Sequence, residues 1–121
     1  MEQQYVSYIR EQLHAVLGID SPSGCTEEVQ QYLCDTLRAM GYAPRRLVKG
    51  GVHVTLGGEG EPLTLLAHAD TLGAVVQYIK PNGRLAISNM TLNVHNAEAE
   101  NVKVITRFNG AYEGTLQLCN A

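Results

Sequence analysis

The chain has 121 residues, 17% charged and 45% hydrophobic, with a formal net charge of −3 at pH 7. That length suits one domain or a piece of something larger and excludes a complete two-domain enzyme. The mild acidity provides no electrostatic footprint for nucleic acid or an anionic membrane surface, so both partners are set aside.

The N-terminus, Met1-Glu2-Gln3-Gln4-Tyr5, lacks the basic start and apolar run of a secretory signal, and no segment approaches membrane-spanning length. Over residues 3–17, Tyr5, Val6, Ile9, Leu13, Val16 and Leu17 recur at three- and four-residue intervals, which predicts an amphipathic helix closed by Gly18. Ile19-Asp20-Ser21-Pro22-Ser23-Gly24 reads as a loop by its turn chemistry. A second helix follows, with Val29, Tyr32, Leu33, Leu37 and Met40 on one face and Gly41 as its stop. Glu27 and Glu28 complement the positive end of its dipole, because helix neighbours do not face each other as a catalytic acid pair must.

Past Pro44 the period changes. Arg46-Leu47-Val48 and 52–56 read as short strands joined through Lys49-Gly50-Gly51. Arg45 and Arg46 form a solvated strand end, not a basic patch. The glycine-rich loop 57–62 lacks a following Gly-Lys-Ser/Thr and a helix, so it is no phosphate cradle. Residues 63–67, Leu-Thr-Leu-Leu-Ala, predict a strand buried on both faces of an α/β sheet, ending at His68 and Asp70. Residues 72–80 predict another strand, returned by the Asn82-Gly83 turn into 84–88, and the Asn109-Gly110 turn predicts a hairpin over 102–118. Cys25, Cys34 and Cys119 have no Cys-x-x-Cys spacing; they read as small buried or half-buried thiols and fit a reducing cytoplasm.

These elements predict an α/β fold, with two N-terminal helices packed on a partial mixed sheet over residues 1–90 and the start of a β-rich module over 91–121. The last residues read as a severed strand, so the chain is expected to be the N-terminal portion of a larger protein. Residues two apart on a strand share a side, so His68 and Asp70 would leave the sheet edge together. Alone, such a pair is most simply a satisfied structural contact. Where a metal is held, the imidazole binds it and the carboxylate orients the ligand.

Pro22-Ser23-Gly24 before an acidic helix, Leu66-Ala67-His68-Ala69-Asp70-Thr71-Leu72-Gly73-Ala74-Val75-Val76, and Asn82-Gly83-Arg84-Leu85 together resemble the N-terminal part of the M42 family of metallo-aminopeptidases. Related M20, M28 and M18 peptidases share the His-x-Asp; the strand and turn after Gly73 favour M42. The likeness departs from the usual pattern at Lys49-Gly50-Gly51-Val52 and at Ser88-Asn89-Met90, where the family carries a Gly-Asn turn and a glycine-rich turn.

The resemblance implies a zinc-exopeptidase type of sheet with an inserted β-barrel-like domain. It implies a dinuclear site for zinc or cobalt, a peptide substrate, a homo-oligomer and a cytoplasmic location. By the same resemblance His68 is a metal ligand and Asp70 the catalytic carboxylate that orients a ligand. The family's remaining ligands and its general-base Glu have no counterpart here, so this chain alone is expected to be inactive. The alternative is a stand-alone, non-catalytic module that self-associates or binds a partner. His14, His53 and His95 lack ligand spacing, and Glu98 and Glu100 read as a solvated loop.

Overall fold

Both helices form where the apolar period puts them: α1 spans Glu2–Leu17 and α2 spans Glu27–Ala39 in the computed structural model, which describes residues 2–89 and 92–117. The expectations for residues 90–91 and 118–121, Cys119 and the end of the last strand among them, lie outside the described residues. Two compact units emerge, Met1–Thr71 and Leu72–Ala121.

In the first unit, α2 carries the core. Val29 and Cys34 are fully buried, and burying a valine side chain stabilises by about 1.5–3 kcal/mol. Thr26 precedes the helix, its hydroxyl accepting from Gln30 Nε2 at 2.7 Å while Glu27 and Glu28 occupy the first turn. The helix ends as its glycine predicts. Gly41 adopts φ +88°, its N–H donates to Arg38 O, and Tyr42 N–H donates to Leu37 O, the paired bonds of a Schellman stop.

The β1 strand, Arg45–Leu47, pairs antiparallel with β2, Gly51–His53, and this hairpin packs on α2. Arg46 Nη2 donates to Gln31 Oε1 at 2.7 Å, tying strand to helix. Gly50, at φ +80°, closes the turn under Gln30, whose Nε2 would lie 3.0 Å from any Cβ placed there. A bond from Tyr32 Oη to Gln12 Oε1 at 2.8 Å joins α2 to α1.

Two expectations are corrected here. Of the α1 stripe, Tyr5, Val6, Ile9, Leu13 and Leu17 are exposed and Val16 is half-covered, as are Gln12 and Ala15. Periodicity was enough to make a helix, and it did not supply a neighbour for the stripe. Residues 63–70 likewise form no strand, and Leu63, Leu65 and Leu66 are 86%, 83% and 92% exposed. A strand exists only where a neighbour accepts and donates along its ladder. Here β1 and β2 pair with each other and leave that run without one.

The second unit consists of two hairpins. Strand β3, Ala74–Ile79, pairs with β4, Leu85–Asn89, in a register that slips by one residue between Val76 and Tyr78, making Gln77 the extra residue of a bulge. The Asn82-Gly83 turn closes it, with Gly83 at φ +80°. After a 3₁₀ turn at Val94–Asn96, β5, Asn101–Ile105, pairs with β6, Ala111–Thr115, around the Asn109-Gly110 turn. The expected helix-and-strand composition of an α/β chain is present. Among the described residues its strands form three separate antiparallel pairs, not one mixed sheet.

Candidate metal centre

The site begins in the loop between α1 and α2. Cys25 N–H donates to Pro22 O at 2.8 Å and Gly24 takes φ +89°, so Ser21-Pro22-Ser23 is held in a tight bend. That bend lies against residues 69–71. Pro22 and Thr71 form an isolated parallel bridge, Thr71 N–H donates to Ser21 O at 2.8 Å, and Ser21 Oγ donates to Ala69 O at 3.0 Å. Ser21 is 1% exposed, so both of its oxygens are satisfied out of water. Ser23 Oγ donates to Asp70 Oδ2 at 2.5 Å, in the short range of bonds to an ionised acceptor.

His68 sits just before this clamp. Its Nδ1 lies 3.0 Å from the Asp70 carbonyl oxygen and 3.4 Å from Asp70 Oδ1. A carbonyl can only accept, so this contact places a proton on Nδ1, which in a neutral imidazole leaves the lone pair on Nε2. The imidazole is 86% exposed, which leaves Nε2 accessible, while the Asp70 side chain is 38% exposed. The Ser23 hydroxyl chiefly, then a backbone hydrogen bond and the nearby His68, hold the Asp70 carboxyl below the usual carboxylate range.

His68 and Asp70 therefore meet as the sequence predicts, but on a different support. The serine bend, not a buried strand, fixes them. The donor set, one imidazole nitrogen with a carboxylate behind it, fits one corner of a divalent-metal site. Among the described residues no three His, Cys, Asp or Glu gather as a cage. His14 stays on α1, His53 accepts from Arg45 Nε across the β1–β2 pair at 3.2 Å, and His95 lies in the 3₁₀ turn. Cys34 is buried as expected and Cys25 is exposed.

Sequence reasoning missed Ser21 and Ser23 as site residues. Their only local signal was a Ser-Pro-Ser-Gly turn, and their partners lie 48 and 47 residues away.

The family profile described as M42 glutamyl aminopeptidase matches residues 50–120. Over 109 residues the chain is 35% identical to YhfE of Bacillus subtilis (strain 168), which carries the provisional name of an aminopeptidase. That match covers 88% of this chain and 32% of the relative, so the chain spans about a third of that protein's length. No helix among the described residues is long and apolar enough to cross a membrane.

Proposed function

The chain belongs to the M42 glutamyl aminopeptidase family, and on that premise we propose that it contributes one corner of a divalent-metal site for removing the N-terminal residue of short peptides. His68 supplies the ligand through Nε2, and Asp70 orients the ring from the Nδ1 side. The observation that carries this reading is the commitment of Nδ1 to Asp70, which leaves an accessible Nε2 lone pair. A divalent ion held there through His68 would supply Lewis acidity and lower the pKa of a bound water.

A catalytic zinc site needs about three protein ligands and an open position. His68 and Asp70 provide one ligand and its orienting partner, so the chain by itself binds metal weakly and does not turn over peptides. In this proposal residues 91–121 are the first strands of an inserted β-rich domain, the working enzyme is a homo-oligomer, and its place is the cytoplasm. The test is a cobalt or zinc titration of the purified chain and of His68→Ala, with a parallel assay for released N-terminal amino acids. Weak binding lost in His68→Ala, without turnover, supports the reading. Enzyme-like release of amino acids overturns the claim of inactivity, and binding indifferent to His68→Ala overturns the ligand assignment.

The exposed run Leu63, Leu65 and Leu66 favours a second reading, a non-catalytic module that works by association. A segment that forms no strand among the described residues also offers its backbone groups to another chain. Sedimentation that finds a clean monomer at high concentration removes this reading.

A further inference from the structure

We propose that Ser23 is a positioning residue for the His68–Asp70 pair: its hydroxyl holds one carboxylate oxygen of Asp70, so that the other oxygen and the Asp70 carbonyl keep the His68 proton on Nδ1. The consequence for metal binding rests on the reading of His68 as a ligand; the effect on the ring does not.

The geometry requires such a holder. Torsion about the Cβ–Cγ bond of an aspartate is broad and two-fold, so rotamer preference does not choose which oxygen faces the histidine. The carboxylate is 38% exposed, so water competes for its oxygens. A serine hydroxyl has one proton to give, and here it goes to Oδ2 at 2.5 Å, while Oδ1 is the oxygen 3.4 Å from His68 Nδ1. Ser23 is itself fixed. Pro22 restricts the backbone before it, and the bonds from Ser21 Oγ to Ala69 O and from Thr71 N–H to Ser21 O hold the bend against the site.

The two serines divide the work. Ser21 is buried, bonds only to backbone and joins the two segments. Ser23 is half-buried and bonds to the Asp70 carboxylate beside the imidazole. Removing the Ser23 hydroxyl leaves the segment joined and takes from the carboxylate the strongest of its hydrogen bonds. The Nδ1 proton then keeps the Asp70 carbonyl and loses its second, charged acceptor, so the balance shifts toward the Nε2–H tautomer, which has no lone pair on the exposed nitrogen.

The test is nitrogen NMR of the histidine-labelled chain at a pH where His68 is neutral, comparing wild type, Ser23→Ala, Ser23→Thr, Asp70→Asn and Ser23→Ala/Asp70→Asn. Wild type is expected mainly as the Nδ1–H tautomer, and Ser23→Ala to lower the Nδ1–H to Nε2–H ratio about fivefold, the scale of one net hydrogen bond. Ser23→Thr restores the ratio, and Ser23→Ala adds nothing once Asp70→Asn is present. An unchanged ratio in Ser23→Ala, with the Cys34 amide still protected, overturns the proposal, as does an equal change in the Asp70→Asn background.

Zinc competition titrations separate the two levels. Ser23→Ala is expected to weaken zinc about tenfold, the low end for loss of an orienting contact. A ratio that responds to Ser23 while zinc binding ignores His68→Ala leaves the positioning role standing and removes the metal reading. Zinc binding that needs His68, with a ratio indifferent to Ser23, does the reverse.

Discussion

Ser21→Ala tests whether residues 69–71 are held by the serine bend. Ser21 Oγ is buried and donates to Ala69 O at 3.0 Å, beside the 2.8 Å bond from Thr71 N–H to Ser21 O. Alanine matches serine without the hydroxyl, so the change deletes a hydrogen bond with little change in volume. A net hydrogen bond contributes about 0.5–1.5 kcal/mol, and an acceptor stranded out of water costs about 1–3 kcal/mol. Ala69 is only half-buried, so water can partly serve its carbonyl and the lower part of that range applies. A loss of about 1.4 kcal/mol multiplies local detachment about tenfold. Native-state hydrogen exchange reads this directly: the Thr71 amide should exchange about tenfold faster, while the Cys34 amide inside α2 keeps its rate. Unchanged Thr71 exchange would show that the bend does not hold the segment. Equal acceleration at Cys34 would show that Ser21 supports the whole unit and not this attachment.

Other substitutions probe separate steps of the reasoning. Leu66→Ser should change unfolding free energy by less than about 0.5 kcal/mol in urea, because the side chain is exposed; a buried strand residue would lose several times that. Val29→Ala should cost about 2 kcal/mol in the same titration, from two lost methyl groups and the space they leave. Gly41→Ala should cost about 1–2 kcal/mol through its φ of +88° alone, since a Cβ there meets nothing within 4 Å; an unchanged midpoint would refute the left-handed stop. Asp35 is held below its ordinary pKa of 3.8, first by the Gln31 amide and then by Arg38. A depressed folded pKa contributes stability above the unfolded value, lost as pH falls through the folded one. Gln31→Ala should therefore move the Asp35 carboxyl titration, followed by NMR, upward in pH.

Elements specified by short-range chemistry were legible in the chain. The α2 apolar face with Gly41 behind it, and the Asn82-Gly83 and Asn109-Gly110 turns, each contain within a few residues the period and backbone freedom their structure needs. The pairing of His68 with Asp70 was legible for the same reason, since the contact spans two residues. The buried strand over 63–67 was misread because an apolar run records a tendency to leave water and does not name a ladder partner. The α1 stripe failed in the same way.

The helices, the hairpins and the family were written in the chain, because they follow from local backbone preference and short motifs. How His68 and Asp70 are held came from contacts distant in the chain. Ser21 and Ser23 reach Ala69 and Asp70 across 48 and 47 residues. No local preference encodes such a meeting, which arises when the chain's return past β2 lays residues 69–71 against the bend between α1 and α2 and the buried hydroxyl of Ser21 must find an acceptor there.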